Sequence, residues 1–183
     1  MSLPRIEDLP SLSEDSLREI LDLLFEPSPA LHALALPTVR TSGGFTSYDG
    51  LIDYIGTLLY ELAGYHEGDM ERKEKLHAIL GAHPRLGEPK KETLSKQSRE
   101  EQRRLQGDTE EAGRLRELNR VYEETFPGLR YVAFVNGRGR GEIMRDMEGR
   151  IARGDGREEE REAIRAMCDI AKDRAGKLLR ASE

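Results

Sequence analysis

EEEREAIRAMCDIAKDRAGKLL, residues 158–179, decides the fold. Its residues Ile164, Met167, Cys168, Ile170, Ala171 and Leu178 recur at intervals of three and four, while charged residues fill the positions between them. That period aligns side chains on one face of a helix, so the segment reads as a helix laid against a core. Gly154-Asp155-Gly156 before it is a turn.

The same pattern extends upstream. Ser13 is placed to cap a helix carrying Leu17, Ile20, Leu21 and Leu24. Pro27 and Pro29 end it and start a short helix over residues 31–36, which Pro37 is expected to close. Residues 41–45, with Gly43-Gly44, read as a loop, and Ser47 caps a helix with the stripe Leu51, Ile52, Ile55, Leu58, Leu59 and Leu62. A helix over residues 69–80 stops at Gly81, and Pro84 reinforces the stop. Residues 87–97 are polar and read as a loop; Ser98 opens a short helix that ends near Gly107. Thr109 opens a longer helix through Leu115, Leu118, Val121 and Tyr122, which the turn Pro127-Gly128 ends. Residues 131–135 are the β-like run, and Ile143, Met147 and Ile151 mark a further helix. The fold class expected is therefore all-α: one irregular domain of about eight helices over residues 13–183, preceded by an irregular arm, residues 1–12, with Pro4 and Pro10.

Composition narrows the function. Charged residues make up 35% of the 183-residue chain, and the net charge of −6 argues against a general nucleic-acid binder. Cys168 is the single cysteine, so an intramolecular disulfide is excluded and a reducing compartment, the cytoplasm, is expected. No stretch is apolar and long enough to span a membrane, and the N-terminus lacks a basic-then-apolar leader. The ending Ala181-Ser182-Glu183 is not a peroxisomal address of the Ser-Lys-Leu kind, although a peroxisomal location stays open.

Among the four histidines, His32, His66, His77 and His83, no pair has the one-turn spacing of a helical metal site, so no metal is expected. His83 follows a helix stop and precedes a proline, which sends its side chain off the end of an element, where functional residues concentrate. The competing role is a histidine facing the free carbonyls and negative dipole end of the helix before it. Ser98 with Glu101 forms a capping-box pattern, and the same helix N-terminus is also suited to an anionic or carbonyl-rich ligand. Arg138, Arg140, Arg145, Arg150, Arg153 and Arg180 read as solvated helix faces. Arg174 stands among apolar positions, Ile170 four residues before it and Leu178 four after; it either snorkels or turns inward against an anion. Cys168 on that helix reads as core, not as a nucleophile.

Five stretches in order resemble the OHCU decarboxylases: His83-Pro84-Arg85-Leu86-Gly87; Ser98-x-x-Glu101-Gln102; Leu118-Asn119-x-x-Tyr122 with Phe126; Tyr131-Val132-Ala133-Phe134-Val135-Asn136-Gly137-Arg138; and Ile170-Ala171-x-x-Arg174. Leu24-Phe25-Glu26-x-Ser28-Pro29 is similar to that family as well. The resemblance implies an all-α homodimer with no cofactor, acting on a small ureidoimidazoline in urate degradation and releasing S-allantoin and carbon dioxide. It implies His83 as the catalytic acid, completed by Glu101 and Arg174. It also implies a substrate site lined by Pro84, by Ser98, Arg99, Glu100, Glu101 and Gln102, and by Tyr131, Val132, Ala133, Phe134 and Val135. Two other classes compete: a helical interaction protein of the same family that has lost activity, and a metal-dependent hydrolase using His66, Asp69, His77 and His83.

Overall fold

The computed structural model describes residues 3–41, 44–87 and 109–180. Among these are seven α-helices and one 3-10 helix, and no strand: α1 Glu14–Leu24, α2 Pro29–Thr41, α3 Tyr48–Ala63, α4 Met70–Leu80, α5 Thr109–Thr125, α6 Arg140–Arg153 and α7 Gly156–Arg180. The all-α expectation holds.

Helix starts follow local chemistry. Ser13 Oγ accepts from the Ser16 amide at 3.2 Å, Ser47 Oγ from Gly50 at 3.1 Å, and Asp69 Oδ1 from Arg72 at 3.2 Å. Each satisfies one of the amides that a helix leaves open at its first turn. Asp155 Oδ1 accepts from the amides of both Arg157 and Glu158 at 3.0 Å, which starts α7 at Gly156, two residues ahead of the expected point.

Packing overrides the sequence reading in two places. α2 runs through Pro37 to Thr41 instead of closing there. Pro37 and Ala33 lie on the exposed side, so the lost backbone hydrogen bond falls next to water, while Ala35, Leu36 and Val39 are buried on the other side and carry the helix onward. The N-terminal arm is not irregular: Ile6–Ser11 form the 3-10 helix, which packs on α2 and buries Leu9 completely.

α7 is the central element. It lies along α3 and also touches α1 and α4, while α5 pairs with α6. The close approach of α3 and α7 depends on Gly56, where an added Cβ would stand 3.0 Å from Cys168 Sγ. Burial pushes the Cys168 thiol up to about 11, so it is a packing group and not a thiolate nucleophile. No helix among the described residues is long and apolar enough to cross a membrane.

Candidate active site

α4 ends where Gly81 donates its amide to the His77 carbonyl at 2.8 Å, and Ala82 to that of Ile79 at 3.2 Å. The chain then turns through His83 and is pinned to α5 by three contacts. Arg85 forms a two-pronged ion pair with Glu123, both bonds at 2.5 Å. Asn119 Nδ2 donates to the Leu86 carbonyl at 3.0 Å. Gly87, at φ +79°, leaves 2.7 Å between its would-be Cβ and Leu115 Cδ2, so no other residue fits without displacement. The motif at residues 83–87 is therefore pinned to one face of α5, with Asn119 of the motif at residues 118–122 holding its Leu86 carbonyl. Arg130 adds a fourth anchor by donating to the His83 carbonyl at 3.2 Å.

The His83 ring behaves differently from its backbone. It is 5% exposed, and neither Nδ1 nor Nε2 has a hydrogen-bond partner among the described residues. Burial, and then the positive charge of Arg174, pushes its pKa down to about 3. The imidazole is neutral at physiological pH, with one N–H to give and one lone pair to receive a proton. It does not serve the α4 carbonyls, which removes the helix-end alternative. Leaving buried polar atoms unmatched costs about 1–3 kcal/mol, and such groups cluster where a ligand supplies the missing partner.

The other histidines are occupied or exposed. His32 Nε2 bonds Asp22 at 2.6 Å, His77 Nε2 bonds Glu160 at 2.7 Å, and His66 lies on the surface. Among the described residues no three His, Cys, Asp or Glu side chains are grouped to hold a metal, and the set His66, Asp69, His77 and His83 does not come together.

Arg174 turns inward. It is 1% exposed, donates to the carbonyls of Leu24 (3.3 Å) and Phe25 at the end of α1, and bonds Glu26 Oε1 at 2.8 Å. The anion it faces is thus a protein carboxylate, with the α1 carbonyls completing the cradle.

Residues 131–135 lie in neither a helix nor a strand. Tyr131 and Val132 are buried at 2%, and the Tyr131 hydroxyl donates to Asp146. Ala133, Phe134 and Val135 line a pocket of about 200 Å³ with Asn136, Gly137, Ile170, Asp173 and Lys177. The expected lining run therefore divides: its second half faces a pocket and its first half faces the core. A larger cavity, about 570 Å³ between α4 and the start of α7, contains His77 and Glu160 but none of the residues expected in the decarboxylase site. Pro84 is half-buried beside His83. Ser98, Arg99, Glu100, Glu101 and Gln102 lie outside the described residues.

Two features escaped sequence reasoning. Glu26 has a signal, since it sits in a stretch that resembles the family, but that stretch does not show that it pairs with Arg174. Arg150 had none: it reads as a solvated helix residue yet is 6% exposed, bonded by Nη2 to Glu159 at 2.5 Å, with Glu159 fully buried. Burial opposes the charge on Arg150, but the hydrogen bonds and charge of Glu159 outweigh it and raise its pKa. Arg140 is a further correction, its side chain 8% exposed and paired with Glu111 at 3.1 Å.

Fold and site together define an all-α protein built around a buried, uncharged histidine on a pinned loop. Its sequence is more specific: residues 10–176 match the sequence model of the OHCU decarboxylase family, and the chain belongs to that family. No curated protein matches the chain.

Proposed function

We propose that this chain is a cofactor-independent decarboxylase that converts 2-oxo-4-hydroxy-4-carboxy-5-ureidoimidazoline (OHCU) to S-allantoin in urate degradation. The observation that carries the reading is His83: a neutral imidazole, both nitrogens without a partner among the described residues, held on the loop of the family motif.

The chemistry asks for little more than a positioned proton. Breaking the bond between the hydroxyl-bearing carbon and its carboxylate releases carbon dioxide. The electron pair passes into the adjacent ring C=N, so the substrate is its own electron sink and needs no pyridoxal or thiamine group. As the hydroxyl becomes a carbonyl, one proton is added to one face of the ureido-bearing carbon, which sets the configuration of the product. His83 takes up the hydroxyl's proton at its unprotonated nitrogen and returns a proton from its N–H to that carbon, ending neutral, while the ring nitrogen that received the electron pair takes one proton from solvent. In this reading Glu101 binds the geminal hydroxyl, and Pro84, Ser98, Arg99, Glu100, Gln102 and residues 133–135 form the walls, with Tyr131 and Val132 supporting them from the core. Burial first, and then the positive charge of Arg174, disfavours the imidazolium and keeps the ring neutral. A homodimer in the cytoplasm or peroxisome belongs to the same proposal.

The test supplies OHCU freshly generated from urate and follows optically active allantoin by circular dichroism. Acceleration over spontaneous decay with one enantiomer formed is the expected result; decay at the spontaneous rate would sink the decarboxylase reading and favour a family member without activity.

A further inference from the structure

Arg150, in the last turn of α6, is buried among polar groups drawn from three parts of the chain. Its Nε lies 3.0 Å from both carboxylate oxygens of Glu159 and 3.2 Å from Glu162 Oε2, and Nη2 bonds Glu159 Oε1 at 2.5 Å. Nη1 donates to the Val132 carbonyl at 3.1 Å and lies 3.5 Å from Asp146 Oδ2. The guanidinium carbon sits 4.7 Å from the centre of the Tyr131 ring. Glu159 also accepts from the Tyr122 hydroxyl and from Arg153 at 3.2 Å.

Stability alone does not account for this arrangement, because well-packed apolar residues commonly replace a buried ion pair without loss. What apolar residues cannot do is hold a backbone carbonyl in a fixed direction. The Val132 carbonyl is the last backbone group before residues 133–137, which line the 200 Å³ pocket. The far end of the same run is held similarly: Arg138 donates to the Phe134 carbonyl, and its amide to the Val135 carbonyl at 2.7 Å.

We propose that Arg150, itself fixed by Glu159, is a positioning residue for substrate binding: through the Val132 carbonyl and the Tyr131 ring it sets the backbone of residues 133–137 against the pocket. The inference rests on the reading that this pocket takes substrate. Arginine is required because one planar fork serves the carboxylate, the carbonyl and the ring together, whereas a lysine ammonium is a point charge that reaches one of them.

The test compares wild type with Arg150→Lys, which keeps the charge opposite Glu159, and with the neutral double variant Arg150→Gln/Glu159→Gln. Two quantities are measured on each: amide hydrogen exchange of peptides over residues 131–137 and over α3, and kcat and KM with OHCU. Expected is exchange about tenfold faster in residues 131–137 with α3 unchanged, and KM raised about tenfold with kcat retained, the effect of about one hydrogen bond to a charged donor. Exchange that is unchanged, or that rises equally in α3, overturns the proposal. So does an unchanged KM, or failure of both variants to fold, which would make the pair a stability element. Wild type inactive on OHCU is instead the failure of the decarboxylase reading, and the exchange measurement still decides the anchor: selective loosening supports it, uniform or absent change overturns it.

Discussion

Arg174 and Glu26, 148 residues apart in the chain, meet at 2.8 Å with both side chains 1% exposed. The pair ties α7 to the end of α1, and the same guanidinium satisfies the carbonyls of Leu24 and Phe25. It also supplies the positive charge that, second to burial, depresses the pKa of His83. Arg174 is therefore a structural clasp and an electrostatic neighbour of the site at once.

Arg174→Ala is expected to lower stability before it alters kinetics. It removes the guanidinium from the Glu26 carboxylate and from the carbonyls at the end of α1, and breaking one side of a buried pair costs about 3–5 kcal/mol. Chemical denaturation checks this. A variant as stable as wild type whose only change is a higher KM would mean that Arg174 serves substrate and not the clasp.

Local signals in the chain were legible, and tertiary ones were not. Ser13, Ser47 and Asp69 reveal helix starts because a cap acts within three residues. The extension of α2 past Pro37 depends on Val39 being buried by the rest of the fold, which the local sequence of that helix does not reveal. Arg150 and Glu159 look like ordinary helix-surface charges until α6 and α7 fold back across the glycine turn at Gly154, φ +65°, and bring them together. His83 could be singled out from its position after a helix stop. Its neutrality could not, since that follows from burial and from Arg174, ninety-one residues away by number.

The buried His83 makes the fold acid-sensitive. Its pKa in the native chain is pushed down to about 3, from the ordinary value of 6.5. Below pH 6.5 the unfolded chain takes up a proton that the native chain refuses, so stability is full above 6.5 and is lost as pH falls toward 3. Between pH 6.5 and 4.5 this group alone removes about 2–3 kcal/mol. His83→Asn removes the titration. The difference in unfolding free energy between pH 7 and pH 4.5 should therefore be smaller in the variant by that amount; equal acid losses in the two proteins would show that His83 titrates normally.

Gly87 and Gly137 share φ +79°, but an added Cβ at Gly87 meets Leu115 Cδ2 at 2.7 Å whereas nothing lies within 4 Å at Gly137. Alanine at either position carries the cost of a left-handed backbone, about 1 kcal/mol. At Gly87 it also pushes on the terminal methyl of Leu115, a side chain buried at 1% in the core. Gly87→Ala is expected to lose about 1–3 kcal/mol more than Gly137→Ala, the range of an overpacked core position. It should also displace the loop that carries His83. Matched thermal melts of the two variants decide it: equal losses would mean that backbone strain accounts for both and that the loop does not depend on the Leu115 contact.

Neutral His83 also sets the expected pH profile of the reaction. The pH dependence of kcat/KM reports ionisations of the free enzyme and free substrate. An ordinary histidine essential in its neutral form would impose an acid limb near 6.5. With its pKa pushed down to about 3, His83 imposes none across pH 5.5–8, and the profile there is expected to be flat on the acid side. His83→Ala should lower kcat by about 10²–10⁴-fold at every pH in that range with the helical fold retained, the size of one positioned proton transfer. His83→Asn, which has a hydrogen-bond donor but cannot exchange the proton, should lose nearly as much. Either variant within a few-fold of wild type would remove His83 from the proton-transfer role. An acid limb near 6.5 that disappears in His83→Asn would instead show that His83 acts but is hydrated in the free enzyme, with its pKa in the ordinary range.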